Sequence, residues 1–401
     1  MTTKDTISLK RNKILGILTK GEKKGRGINV DFPLIIITIL LTVFGVVMVF
    51  SASYYNSIND YGTPYSYLFS QGRYAIIGFI IMYITSRIDY RKWRRWGGVL
   101  AIIGFFLLCL IFTPLGIEVN GATRWLGIPG IPFTVMPGEV EKFVMILFCA
   151  SYFSRDMNRA GNLRGLLPVV IYTVVVCLLI VKQPNLSTAI TVFMIAVGIA
   201  FVAGMQWRYI ALLFGGAAIG SYYLMFINKG YWHDRVASFM DPFADALGDG
   251  FQVVQSLLAL GTGGLTGRGL GQSVQKNLYL PEPQNDFILA IIGEELGFLG
   301  IAALLIAFAL IVWRIFYISL QSKDNFGMLL GSGVGITIGI QVILNVAVVT
   351  SSMPPTGIAL PFISAGGNAL WVFLGLIGIV LNISGTINKE DGAKETQEVR
   401  K

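Results

Sequence analysis

Charge, histidine and cysteine are all scarce in this sequence. Asp, Glu, Lys and Arg make up 13% of the 401 residues, whereas a soluble domain carries about 25%. Hydrophobic residues reach 54%, too many for a polar shell to cover, so part of the surface must face lipid. His233 is the single histidine. That excludes His-rich metal centres, argues against a Ser-His-Asp triad, and leaves acid–base work to carboxylates, Lys or Tyr. Cys109, Cys149 and Cys177 all lie inside apolar stretches, where a thiol is a small buried hydrophobe; no disulfide or metal site is implied. The net charge of +9 does not point to nucleic acid. The basic residues fall between apolar runs, and nothing resembles a zinc finger or a groove-reading helix.

Ten stretches are long and apolar enough to cross a hydrocarbon core of about 30 Å: 33–53, 70–87, 97–117, 138–154, 166–182, 186–204, 208–228, 286–315, 327–350 and 366–385. The charges support this count. One set of alternating segments holds 23 of the 31 Lys and Arg residues, including the N-terminal tail, the Arg87–Arg95 cluster and the C-terminus. Cytoplasmic segments collect Lys and Arg, so an even number of spans with both termini cytoplasmic is expected. The fold class is therefore an all-α polytopic membrane protein. Residues 1–32 form a basic cytoplasmic tail, 33–385 the membrane domain and 386–401 a second tail. The first apolar run has no small-residue cleavage site before it and is expected to remain as the first span. Between spans 7 and 8, residues 229–285 make one large extracytoplasmic loop. Long loops in compact proteins are usually functional or disordered; this one mixes aromatics, Gly and paired charges, so the working surface is expected to face outward.

Four motifs carry candidate chemistry. Tyr279-Leu280-Pro281-Glu282-Pro283-Gln284-Asn285-Asp286-Phe287 leads into the eighth span. Asn285 suits an N-cap, which would put Asp286 in the first helical turn at the membrane boundary. There it either complements the helix dipole or, desolvated, becomes a base tuned toward neutral pH. Glu294 and Glu295 lie about two turns deeper, where carboxylates mark function or a buried partner. The glycine-rich run 261–271 would let backbone N–H groups approach an anion, with Arg268 and Lys276 adding charge; a re-entrant loop explains the glycines equally well. Asn120–Trp125 puts Arg124 beside an interfacial Trp, which serves either as a belt anchor or in a sugar or headgroup site. Pro354–Gly367 concentrates helix breakers, as expected of a re-entrant element against protein or a cavity; a plain external hairpin is the alternative. Glu139 and Lys142, three apart, share a helix face and can pair.

Together and in this order, these motifs resemble the SEDS family (shape, elongation, division and sporulation), from about Asp31 to Ser384. The strongest match runs through Gly250-Phe251-Gln252, Gln255-Ser256, Gly269-Leu270-Gly271-Gln272-Ser273, Gln275-Lys276, Tyr279-Leu280-Pro281-Glu282, Asp286-Phe287-Ile288 and Glu294-Glu295. Its forms are closer to the FtsW/SpoVE branch than to RodA. The resemblance implies ten spans and a peptidoglycan glycosyltransferase. It would polymerise lipid II beside a class B penicillin-binding protein, at the outer face of the bacterial cytoplasmic membrane, in division or sporulation. It also implies that Asp286 is the catalytic carboxylate, that Trp125 belongs to a Gly-x-x-Arg-Trp motif, and that Pro137, Glu139 and Lys142 form a Pro-x-Glu-x-x-Lys motif. This sequence departs from the family pattern at Gly138, Asn185, Ala365 and Asn368.

The expected site therefore has Asp286 as base, with Arg124, Trp125, Arg235, Lys276, Glu139, Lys142, Gln255, Ser256 and Glu294 around the substrate. A divalent cation, Mg or Mn, is expected at Asp286, and no organic cofactor. Expected partners are lipid II and the growing strand, the transpeptidase and the division or sporulation machinery, but no nucleic acid. Two other classes compete: a lipid II transporter, which would depend on the charges at mid-depth, and a scaffold that tolerates loss of every carboxylate.

Overall fold

The computed structural model describes residues 30–119, 121–127, 134–227, 235–236, 239–245, 248 and 250–399, with side chains to residue 387. The basic tail and His233 lie outside them. Each of the ten apolar stretches is helical. In chain order these are α1 (Phe32–Tyr61), α2 (Ser66–Arg87), α3 (Gly97–Leu110), α4 (Pro137–Arg155), α5 (Leu163–Lys182), α6 (Leu186–Val202) and α7 (Trp207–Tyr222, continued by a π turn to Ile227). An extra helix, α8 (Phe251–Gly263), precedes α9 (Ile288–Gln321), α10 (Asn325–Val349) and α11 (Gly367–Val399). Seven among the described residues are long and apolar enough to cross a membrane: α1, α2, α5, α7, α9, α10 and α11. Helices α3 and α6 are apolar but shorter, and α4 carries Glu139, Glu141, Lys142 and Arg155.

Local chemistry sets the ends of these helices. Asp31 caps α1 by accepting from Leu34 N–H at 3.0 Å, with Pro33 in the first turn, where its missing N–H costs nothing. The same carboxylate pairs with Arg314 at 2.8 Å, fastening α1 to α9. Asn185 caps α6 through Thr188 N–H at 3.2 Å. Helix α3 stops at Leu110, short of the expected 117, because Pro114 cannot continue it.

The chain is not purely helical. Between α3 and α4 lies a small antiparallel sheet, β1 (Gly116–Val119), β2 (Ala122–Gly127) and β3 (Thr134–Val135), in the order β1-β2-β3. Trp125 on β2 stands opposite Ile117. In the large loop, α8 packs on α9, which the sequence reading left as loop. Helix α9 is itself broken at Gly297, whose φ is +69°. The glycine-rich run pairs with this break: Arg268 and Gly269 N–H donate to the carbonyls of Glu294 and Glu295 at 2.9 and 3.0 Å, and Phe298 and Leu299 N–H donate to Gly264 and Leu265. A Cβ on Gly297 would stand 2.3 Å from Gly267 N, so the close approach requires glycine. Of the two readings of the glycine-rich run, the loop reading fits better here, since the N–H groups of Arg268 and Gly269 bond the broken helix.

Helices α4 and α10 form the buried centre. Helix α4 packs against α3, α6 and α10, while α2 runs along α11. The segment 351–366, which holds nearly all of the helix-breaking run Pro354–Gly367, is non-helical between α10 and α11. It is tied down by polar contacts: Ala365 N–H donates to Gln284 O at 2.8 Å, and Ser364 Oγ donates to Asn285 O at 2.7 Å. Protein groups thus satisfy part of its irregular backbone.

Candidate active site

A cavity of about 1150 Å³ opens between α1, α2, the sheet, the start of α4, the two non-helical segments at 281–287 and 355–366, and the first turn of α11. Asp286 lies in its wall just before α9 begins, since the helix starts at Ile288 with Phe287 at its cap. The expectation that Asn285 caps the helix and Asp286 enters its first turn is corrected: Asn285 instead donates to Glu282 at 2.7 Å. This leaves the Asp286 carboxyl off the helix and directed by its backbone. Asn345 Nδ2, fully buried on α10, donates to the carbonyls of both Asp286 (2.9 Å) and Ile358 (2.8 Å). One amide therefore joins the two cavity segments.

The cations are held from behind. Arg124 Nε donates to Gln183 O at 3.4 Å and its Nη2 to Pro184 O, just past the end of α5. Arg235 Nη1 donates to Pro355 O at 3.0 Å. A Cβ added to Gly357 would sit 3.2 Å from Arg124 Nη1 and 3.3 Å from Asp286 Oδ2; the guanidinium and the carboxylate thus converge on one spot, floored by a glycine at φ +73°. Loss of solvation pushes the Asp286 carboxyl up from 3.8 to about 6. Arg124 and Arg235 pull it down and Glu282 pushes it further up, but removal from water outweighs the rest.

Behind this wall, Glu139 pairs with Lys142 at 2.7 Å. Lys142 Nζ donates to Gln341 Oε1 at 2.8 Å, and Gln341 Nε2 donates to Ala359 O at 2.9 Å. Glu139 lines the cavity, whereas Lys142 is 1% exposed and holds the chain of contacts in place. Thr356 Oγ1, in the cavity wall, is buried with no hydrogen-bond partner among the described residues.

Of the residues expected at the site, Asp286, Arg124, Trp125, Arg235 and Glu139 line one cavity. Four do not. Lys276 is buried with Glu295 at 2.8 Å and Ser51 at 3.0 Å. Glu294 accepts from Ser273 Oγ (2.5 Å), Arg268 (3.1 Å), Val274 N–H (3.0 Å) and Gln275 N–H (3.2 Å). Ser256 Oγ bonds Val349 O at 2.8 Å, joining α8 to α10, and Gln255 lies outside the cavity lining. These groups complete the scaffold; Lys276 in particular has its charge matched by Glu295 and is not a cation offered to the cavity. The residues the sequence reading missed include Gln252 in the lining and the Gln341/Asn345 pair. Two buried amides four apart on an apolar helix were a legible signal, since polar groups at that depth need partners.

Residues 32–389 match the family described as cell cycle protein, FtsW/RodA/SpoVE. A probable peptidoglycan glycosyltransferase FtsW from Geobacter sp. (strain M18) is 38% identical over 356 residues, covering 88% of this chain and 96% of the relative. Stage V sporulation protein E from Bacillus subtilis (strain 168) is 39% identical over 358 residues, with 88% and 96% covered. A chain in the solved structure of a peptidoglycan synthase complex superposes with a TM-score of 0.74 at 26% identity, covering 88% of this chain and 97% of that one. With its seven membrane-length helices and a match spanning nearly its whole length, the chain belongs to the FtsW/RodA/SpoVE family of multi-pass membrane proteins.

Proposed function

We propose that this chain is an inverting peptidoglycan glycosyltransferase that polymerises lipid II, with Asp286 as its general base. The observation that carries the reading is the convergence of the Asp286 carboxyl and the Arg124 guanidinium over Gly357, in a cavity large enough for a disaccharide that Arg235, Trp125 and Glu139 also line; loss of solvation raises the carboxyl to about 6. A carboxyl near this value is largely ionised at neutral pH yet basic enough to accept a proton in the transition state. An acceptor sugar hydroxyl attacks the anomeric carbon of the lipid-linked strand, and its proton passes to Asp286. The bond from the anomeric carbon to the pyrophosphate oxygen breaks on the opposite face, and the electron pair leaves with the lipid pyrophosphate. Arg124 and Arg235 offset that charge, in place of Lys276, which is paired with Glu295. Trp125 and Glu139 face the sugars.

No three Asp, Glu, His or Cys side chains converge into a metal site among the described residues. Magnesium is commonly held by one or two carboxylates together with substrate phosphates; Asp286 and Glu282, both in the cavity lining, would hold an Mg or Mn ion that arrives with the pyrophosphate. Such an ion would add positive charge at the leaving group.

The charge asymmetry supports ten spans with both termini cytoplasmic and the cavity facing outward from the cytoplasmic membrane. Helices α3, α4 and α6 make up the count beyond the seven. The likeness to a chain of a peptidoglycan synthase complex supports a class B penicillin-binding protein as partner, in division or sporulation. The competing transporter reading relied on charges at mid-depth. Those charges are paired with one another, Glu139 with Lys142, Glu294 with Arg268 and Glu295 with Lys276, which favours the polymerase. The test is glycan formation from purified lipid II by wild type and Asp286→Asn, with and without the transpeptidase. Glycan from wild type that is lost in the variant supports the reading, and undiminished glycan from Asp286→Asn refutes the role of Asp286. Movement of lipid II across vesicles without any glycan would favour transport.

A further inference from the structure

The cavity has a second wall that the chemistry at Asp286 does not use. The outer ends of α1 and α2 build it, and Tyr61, Tyr67, Phe69 and Tyr74 line it with Ser70 and Arg73 between them. Tyr61 is 61% exposed and Phe69 66%. The rings of Tyr61 and Tyr67 meet edge to face at 5.8 Å. The turn beneath them is firmly set: Gly62 N–H donates to Ile58 O at 2.9 Å, and Ser57 Oγ donates to Thr63 O at 2.6 Å.

Aromatic side chains at a membrane surface ordinarily form a headgroup belt. Two observations set this wall apart. Its rings line the cavity that also contains Asp286. Its height also differs: α1 has 30 residues, so at a rise of about 1.5 Å each it is about 45 Å long, as much as the whole bilayer with its headgroups. Its inner end is fastened to α9 through Asp31 and Arg314. Tyr61, the last residue, therefore ends a helix about 15 Å longer than the hydrocarbon core is thick, which favours a place beyond the lipid tails. A ring there presents an apolar face with a polar tip, which suits the C–H face of a pyranose, while Ser70 and Arg73 suit its hydroxyl and acetamido groups.

We propose that the α1–α2 wall is a sugar-stacking platform that holds the N-acetylated glycan strand beyond the reacting sugar and so governs how many additions occur before release. This rests on the polymerase reading above. The experiment uses the full chain with its transpeptidase partner in nanodiscs, supplied with lipid II. Strand-length distribution and total lipid II consumed are both measured for wild type, Tyr61→Ala, Tyr61→Ala/Tyr67→Ala and Tyr61→Phe/Tyr67→Phe. The expected result is several-fold shorter strands from the double alanine variant, with consumption little changed and wild-type length restored by phenylalanine. Unchanged lengths, or a uniform loss of consumption with lengths preserved, would overturn the proposal. Should wild type make no glycan, the polymerase reading fails and takes this inference with it. A second measurement does not need turnover: binding of chitotetraose to the Asp286→Asn protein, followed by saturation-transfer NMR, should weaken several-fold when Tyr61→Ala is added. Equal binding by the two proteins would count against the platform.

Discussion

Asp286 and the pair Glu294–Glu295 lie within ten residues of one another, yet their surroundings have little in common. Asp286 faces a cavity, and its nearest cations, Arg124 and Arg235, are tied to carbonyl oxygens of the scaffold. Its carboxyl is raised to about 6 because lost solvation outweighs those cations. Glu294 and Glu295 are fully buried, and each has a cation and a hydroxyl of its own: Arg268 and Ser273 for Glu294, Lys276 and Ser51 for Glu295. Both groups are acids beside cations, so residue type does not separate them. The difference is satisfaction: the buried pair spends its charge holding the large loop to α1 and α9, whereas the cavity acid keeps capacity for a substrate proton.

Four experiments break or sharpen this contrast. The largest effect belongs to Asp286→Asn, which should lower polymerisation by roughly 10²–10⁴ while the thermal melt of the purified protein stays close to wild type, because the isosteric amide removes a poorly solvated charge without leaving a cavity. The buried pair should behave the other way round. Lys276→Met strands the Glu295 carboxylate, and removing one partner of a buried pair costs roughly 3–5 kcal/mol. Folded yield and melting temperature should fall, with turnover per folded molecule much less affected; Lys276→Met/Glu295→Gln should recover more than half of the loss. If Lys276→Met instead melted normally and lost catalysis, Lys276 would belong to the site after all.

A smaller effect is expected at Gly357. Alanine there adopts a left-handed backbone at a cost of roughly 1–2 kcal/mol and places a methyl between Arg124 and Asp286. Both stability and rate should drop, the rate further than the stability, as read by melting and by lipid II consumption. The smallest effect is in the pH profile. A base with a pKa near 6 is deprotonated above that value, so the rate should rise about tenfold from pH 5 to pH 7 and then level off. A rate that stayed flat over that range would mean that Asp286 does not titrate there during catalysis.

Much of the architecture was legible in the residues. Ten apolar runs became helices, because a run that long has to satisfy its backbone internally. The small sheet was not foreseen: its strands are short and their pairing depends on contacts across a turn, which periodicity over so few residues does not reveal. Helix α8 was missed for a similar reason, since its apolar face has meaning only against α9. Trp125, Arg124 and Glu139 were picked out by type and spacing and do meet Asp286 in one cavity. Lys276 and Glu294 were picked out by the same reasoning and do not, because sequence records that a charge is present but not which partner reaches it first.

By itself, then, the sequence determined the membrane-protein class, the helical runs and the small set of carboxylates able to do acid–base work, since each follows from local composition and the solvation cost of the groups involved. Only the tertiary structure decided which carboxylate is left to act. That outcome depends on Asn345 joining Asp286 to Ile358, on Gly357 leaving room beside Arg124, and on Arg268 and Lys276 neutralising the deeper acids. These contacts join residues as far apart in the chain as Arg124 and Gly357, and the free energy of a buried charge is set by what surrounds it in space.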